Sequence, residues 1–382
     1  MNRAALVDVS SPVPLPSKRM ESTGELAWFR AEILRSLLHP FDFARSLARE
    51  HYGLAGVLVA LIAGVALSIA IDALILTSKG FLPFDFLGQV LIDSVFLGVR
   101  LAVTVAGVAT VGYYAARLLR GRDLTLDQAF TAFSFALSPL LLAPVGALVV
   151  LLAPELLPVA GAVALLAIAR AILGLAINLR ALLPPALAVV PFVVMLVTSA
   201  LVMTDQISRV RFAGYAIAPQ LVADFTATPM TGTTFEATDF TITLPVGWTN
   251  ATSGVRGEAA RYESDVADLR VARAGGVPLA TADTYADSAS IVERQGLENG
   301  FRERSVVRIN GVIAVDDRYG GTYQGRRVIY RQFTAVPRTH GLALIFHYIE
   351  PADEQAALAE AASIAATWRI REATRQSARR SG

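Results

Sequence analysis

GLAGVLVALIAGVALSIAIDALILT, residues 53–77, decides how this chain is read: it carries one charge, Asp72, and is long enough to cross a bilayer. A hydrocarbon layer of about 30 Å needs about 20 residues of helix. Inside that layer the backbone must satisfy its own hydrogen bonds, so the stretch forms a helix and not a strand. The apolar block runs on to Met203, broken at short intervals by charge, Pro or Gly, and further spans are expected at 87–117, 128–152, 157–179 and 184–203. The fold class expected is therefore multi-domain: an all-α transmembrane bundle of five helices, then a soluble α+β domain with an antiparallel sheet.

The segments on either side complete the organisation. Residues 1–24 hold Ser11, Pro12, Pro14 and Pro16 where a signal peptide would need an apolar core, and read as a cytoplasmic tail. Residues 25–50 read as amphipathic lead-in helices to the spans of 51–204. In 25–38, Leu26, Phe29, Ile33 and Leu37 recur at helical spacing, giving a helix that lies on the membrane surface or packs on the protein. Residues 205–235 read as a linker that begins by continuing the fifth span, 236–372 as the α+β domain and 373–382 as a basic tail. Within that domain, strands are expected at 240–244, 301–308, 312–319, 327–336, 342–349 and 367–371, a hairpin over 260–272, and helices over 280–297 and 353–366. Turns are expected at Asn310-Gly311, Gly320-Gly321 and Gly325.

Basic residues set the expected orientation. Arg30, Arg35, Arg45 and Arg49 precede the first span, Arg117, Arg120 and Arg122 follow the second, and Arg180 follows the fourth. The opposite loops carry only Lys79 and Glu155. The N-terminus is thus expected in the cytoplasm and, with an odd span count, the α+β domain outside it.

Composition narrows the function. Apolar residues make up 54% of the chain and mean hydropathy is +0.51, both above the soluble norm. Net charge is only +2 and no basic patch interleaves with aromatics, so nucleic acid is not an expected partner. Cysteine is absent, which removes disulfides, thiolate metal sites and cysteine nucleophiles. Lysine occurs only at Lys18 and Lys79; arginine in its place suits a GC-rich bacterial genome and a protein of the bacterial inner membrane.

The membrane part resembles the Yip domain family of five-span proteins. The resemblance is carried by Leu38-His-Pro-Phe-Asp-Phe43 and by Gln128-Ala-Phe-Thr-Ala-Phe-Ser-Phe-Ala-Leu-Ser-Pro139. It implies a helical fold with a cytoplasmic N-terminus. The C-terminal part resembles the PsbP-like fold through Phe240-Thr-Ile-Thr-Leu-Pro-Val-Gly-Trp248, a central hairpin at Tyr319-Gly-Gly-Thr-Tyr323 and Ile364-Ala-Ala-Thr-Trp-Arg-Ile370. That resemblance implies a non-enzymatic extracytoplasmic domain.

The informative side chains are charges within the spans, because an unpaired charge in the bilayer costs several kcal/mol. Arg100 and Arg170 fall near mid-span, with Asp72 and Asp93 nearer the outer end. They either line a polar interior that binds an anion, or pair with Asp72, Asp93, Ser134, Ser138 or backbone carbonyls and hold helices together. Asp316 and Asp317 are adjacent on a strand, face opposite sides and cannot share a site. His39, His51, His340 and His347 lack carboxylates at metal-ligand spacing. No catalytic residue, cofactor site or metal site is expected. Trp248, Tyr319 and Tyr323 are candidates for contact with a partner, with core packing as the plainer role for Trp248. The function expected is a non-enzymatic adaptor or assembly factor in contact with membrane lipids and an envelope protein. The alternative is a channel or carrier for an anionic solute or lipid using Arg100 and Arg170.

Overall fold

The computed structural model describes residues 24–47, 52–118, 124–228, 230–252, 254 and 257–371. Arg49, Arg120 and Arg122 of the orientation argument, and the tails before 24 and after 371, lie outside the described residues. The helical half comprises α1 Glu25–Leu38, α2 Pro40–Leu47, α3 Leu54–Ser78, α4 Leu87–Leu118, α5 Leu126–Ala136, α6 Ala143–Leu152, α7 Leu157–Leu182, α8 Pro185–Val202 and α9 Thr204–Ile217. Among the described residues, four helical stretches are long and apolar enough to cross a membrane: Leu54–Ser78, Pro83–Leu118, Leu126–Leu152 and Leu157–Leu182.

The expected fifth span falls on α8 and α9. α8 has 18 residues, about 27 Å of helix. At Met203 the axis turns by 54° into α9, so a fifth crossing exists only if the bent pair counts as one. The hydroxyl of Thr204 donates to the carbonyls of Ala200 and Leu201 at this bend. The third span is interrupted around Pro139 and Pro144. α5 stops at Ala136, a 3-10 turn covers Ser138–Leu142, and α6 restarts with Pro144 in its first turn.

The chain forms two compact units, and each spanning stretch is divided between them near its middle. The first unit holds residues 1–63, 101–139 and 167–196. Its core is aromatic: Phe43 lies 4.7 Å from Phe135, Tyr52 lies 5.4 Å from Phe135, and Trp28 stacks on Tyr52 at 5.8 Å. α1 is packed on the protein by these contacts and by Glu32 and Ser36, which are buried.

The second unit holds residues 64–100, 140–166 and 197–382. In it the backbones of α3 and α4 meet at glycine: a Cβ on Gly64 would come within 2.8 Å of Gly98 Cα. Its strands are β1 Thr233–Glu236, β2 Phe240–Leu244, β3 Thr249–Asn250, β4 Glu258–Glu263, β5 Ala267–Ala274, β6 Glu298–Ile309, β7 Val312–Tyr323, β8 Arg326–Ala335, β9 Gly341–Ile349 and β10 Arg369–Ile370. The main sheet is antiparallel in the order β3-β4-β5-β9-β8-β7-β6, and a small one has the order β1-β2-β10.

Both faces of the main sheet are covered, so its central strands are buried throughout instead of alternating. On β9, Leu342, Leu344, Phe346 and Tyr348 meet the small sheet and α12 Glu354–Thr367 through Phe240, Ile242, Ile364 and Trp368. Ala343 and Ile345 face the other way, towards Tyr285 on α10 Ala282–Ala289. The helix expected over 280–297 divides at Ser290 into α10 and α11 Ile291–Gln295.

The expected turn at Gly320-Gly321 is also corrected. Both residues lie inside β7, and the chain reverses at Gln324-Gly325, both at positive φ. The glycines serve close approach: a Cβ on Gly320 would sit 2.6 Å from the Val328 carbonyl oxygen, and one on Gly321 2.6 Å from that of Glu298. A register shift in β6 between Glu298 and Phe301 lies opposite them.

Candidate functional site

Two features of the second unit concentrate polar chemistry. The first is a group of charges on α3, α4 and α9. Arg209 is buried on α9 and donates to Asp72 Oδ1 at 2.7 Å and to Asp93 Oδ2 at 3.1 Å. Gln206 Oε1 accepts from the same guanidinium at 3.3 Å, and Ser68 donates to the other oxygen of Asp72. Beside this group Arg100 pairs with Asp205 at 2.8 Å. The carboxylates expected to answer Arg100 and Arg170 are thus committed to Arg209.

Asp205 and Arg209 were not singled out from the sequence, because the run after Met203 reads as linker. The available signal was spacing: Asp205 and Arg209 lie one turn apart on a helix, directly after the apolar block.

Arg170 belongs to the first unit and has different partners. Its Nη2 donates to the carbonyl oxygens of Ser36 and Leu37 at 2.7 and 2.9 Å, at the C-terminal end of α1. A cation there completes carbonyls that lack intrahelical donors and complements the helix dipole. Arg100 and Arg170 share no partner in these contacts.

Lys79, one residue beyond α3, joins that helix to the loop before α10. Its Nζ donates to the carbonyls of Pro278 and Ala280 at 2.7 and 2.5 Å. Burial, with Arg209 adding to it, brings the Lys79 ammonium down to about 7. Ile75, Ser78, Lys79, Phe212 and Val312 line a cavity of about 230 Å³ at this junction.

In the α+β domain the adjacent carboxylates Asp316 and Asp317 are engaged by guanidiniums. Asp316 pairs with Arg331 on one face, at 2.7 Å, while Asp317 on the other takes Arg302 and Arg304, each at 2.5 Å. The alternation expected for neighbours on a strand is observed. Burial, opposed by Arg302, raises the Asp317 carboxyl to about 6. Arg304 also holds Asp283 and Asp287. His347 stacks on Tyr330 at 4.6 Å, and burial holds its imidazole below the usual range. Among the described residues no group of three or more His, Asp or Glu is placed to hold a metal ion.

The three partner-contact candidates do not form one surface. Trp248 is buried against the core and donates Nε1 to Glu360 at 3.3 Å. Tyr319 is buried on the opposite face, stacked on Tyr330 at 4.9 Å, with its hydroxyl donating to Gln332 at 3.2 Å. Their side chains are consumed by packing, which follows from a sheet covered on both faces. Tyr323, at the end of β7, is exposed.

The second polar feature is an open cleft of about 840 Å³ where the β4–β5 turn, the end of β9 and the start of α12 meet. Its lining has six carboxylates, Glu263, Asp265, Asp268, Glu350, Asp353 and Glu360, against the guanidiniums of Arg261 and Arg326. Arg261 pairs with Asp268 and Glu263, and Arg326 with Glu350. Asp265 is exposed, and Asp353 accepts the amides of Gln355 and Ala356 as the N-cap of α12. The cleft is acidic in balance and of a size that accommodates a peptide side chain or small molecule.

The chain therefore combines a helical N-terminal half, with four to five helices able to cross a membrane, and antiparallel sheets in its C-terminal half. No protein-family model matches it, and no curated protein does. Solved structures similar to it include a crystal structure from Bacteroides thetaiotaomicron, at 15% identity over 38% of this chain, with TM-score 0.28. The chain spans half of that protein's length. Cyanobacterial PsbP (CyanoP) from Synechocystis is 13% identical over 36% of this chain and 92% of its own, with TM-score 0.27. A protein of unknown function from Pseudomonas aeruginosa is 18% identical over 34% and 93%, with TM-score 0.23.

Proposed function

We propose that this chain is a non-enzymatic multi-pass membrane adaptor whose α+β domain receives a basic segment of a partner protein in the acidic cleft. The observation that carries the proposal is the cleft itself, wide, open and short of positive charge. Support comes from the state of the other polar groups. Asp316 and Asp317, the paired carboxylates that acid–base chemistry would draw on, are clamped by arginines on opposite faces. A carrier of anions would need free donors on Arg100 and Arg170, whose guanidiniums contact Asp205 and the end of α1.

The finer assignments are part of the same proposal. The helical half is read as Yip-like on its lead-in and third-span residues, and the sheet domain as PsbP-like on Phe240–Trp248 and the closing helix. The basic residues preceding α3 and ending α7 favour a cytoplasmic N-terminus. Counting α8 and α9 as one crossing puts the cleft outside a bacterial inner membrane.

The test uses the full chain in its own membrane, with a photo-crosslinking residue at Val266, exposed on the rim of the cleft. A discrete protein adduct is expected, and Asp265→Lys should abolish it. Absence of an adduct, or one indifferent to the charge reversal, rejects the proposal.

A further inference from the structure

α1 and the turn that follows it expose a row of large apolar residues that water would not select. Glu32 and Ser36 point inward, while Leu26, Leu34 and Leu38 along one side of α1, and Phe41 just past the turn, are 71%, 53%, 64% and 64% exposed. In water such a face costs about 25 cal/mol per Å² of apolar surface. Among lipid chains it costs nothing, and buried polar groups bonding to neighbouring helices are the usual pattern.

Three hydrogen bonds fix the level of the turn. Ser36 Oγ donates to Ser138 Oγ at 2.9 Å, and Ser138 lies twelve residues from the start of α5, about 18 Å along the third spanning stretch. Arg170 holds the Ser36 and Leu37 carbonyls, and its side chain lies back over Gly174, where a Cβ would sit 3.1 Å from Nη1. Gly174 is eight residues from the end of α7, a depth of about 12 Å. Half of the hydrocarbon layer is about 15 Å. One turn before Ser36, Glu32 accepts from the hydroxyl of Tyr52, which precedes α3, so α1 descends from that level towards mid-span.

We infer that α1 and α2 form a re-entrant hairpin, inserted into a single leaflet, with Leu34, Leu38 and Phe41 among lipid acyl chains and the end of α1 clasped by Arg170. The inference rests on the multi-pass reading and departs from a helix lying on the membrane surface. The hairpin's exposed polar residues are Glu25, Arg30, His39, Asp42 and Arg45. Asp42 and Arg45 pair at 3.4 Å, and an arginine stem is long enough to carry its guanidinium to headgroup level. A wedge in one leaflet expands that leaflet alone, which couples the protein to bilayer curvature.

The chain has no cysteine, so single-cysteine spin labels report without background. Leu38→Cys, Leu166→Cys on the exposed side of α7, and Val246→Cys on the α+β domain are each labelled in full-length protein in phosphatidylcholine vesicles. Collision with oxygen is then compared with collision with a water-soluble nickel chelate. The oxygen-to-nickel ratio at Leu38 should match that at Leu166 and exceed that at Val246. A ratio at Leu38 as low as at Val246, with Leu166 still high, overturns the hairpin alone. A low ratio at both Leu38 and Leu166 overturns the multi-pass reading together with it.

Discussion

Arg209 on α9 ties together α3 and α4 in the second unit through Asp72 and Asp93. A guanidinium that is buried and bonded to Asp72 and Asp93 cannot be removed alone without leaving carboxylates in an apolar setting. Breaking a buried pair from one side costs about 3–5 kcal/mol, whereas removing both partners costs much less. Arg209→Met should therefore lower the thermal unfolding midpoint of detergent-purified protein sharply. Adding Asp72→Asn should restore a large part of the loss. Equal stability of the single variant and the parent would show that the pair contributes nothing to the fold. Arg209 escaped the sequence reading because it sits in a polar run, where an arginine is ordinary. Its partners, Asp72 and Asp93, were conspicuous because they sit in apolar ones.

At the level of elements, what was legible followed from period and punctuation. The strand at 240–244 and the β8–β9 pair were readable from alternation and apolar runs. The glycines of β7 were not, because a Gly-Gly pair signals a turn equally well as close backbone approach, and only the neighbouring strand distinguishes them. That difference gives a prediction. Gly320→Ala should destabilise the α+β domain by about 1–3 kcal/mol, since the carbonyl of Val328 is backbone and the Phe301 ring also lies within 3.0 Å of the added carbon. Chemical denaturation followed by the fluorescence of Trp248 and Trp368 measures it. A turn at this position would instead tolerate the change, and an unshifted midpoint would return Gly320 to a turn-like role.

For the whole molecule, the division into an apolar helical half and a polar sheet half was legible from hydropathy alone. The site was not. Its cleft is assembled from residues 261, 263–268, 326, 347–353, 356, 357 and 360, and no local pattern announces that a turn, a strand end and a helix start will converge. The span count is the point on which function turns, because α8 and α9 either complete a fifth crossing or leave four. Five crossings place the acidic cleft across the membrane from the N-terminal hairpin, and four place both on one side. The most direct measurement is labelling of Glu25→Cys and Val246→Cys, in separate full-length variants, by a membrane-impermeant maleimide in spheroplasts before and after lysis. The account predicts that Val246→Cys reacts in intact spheroplasts and Glu25→Cys only after lysis. Reaction of both positions under the same condition would contradict it.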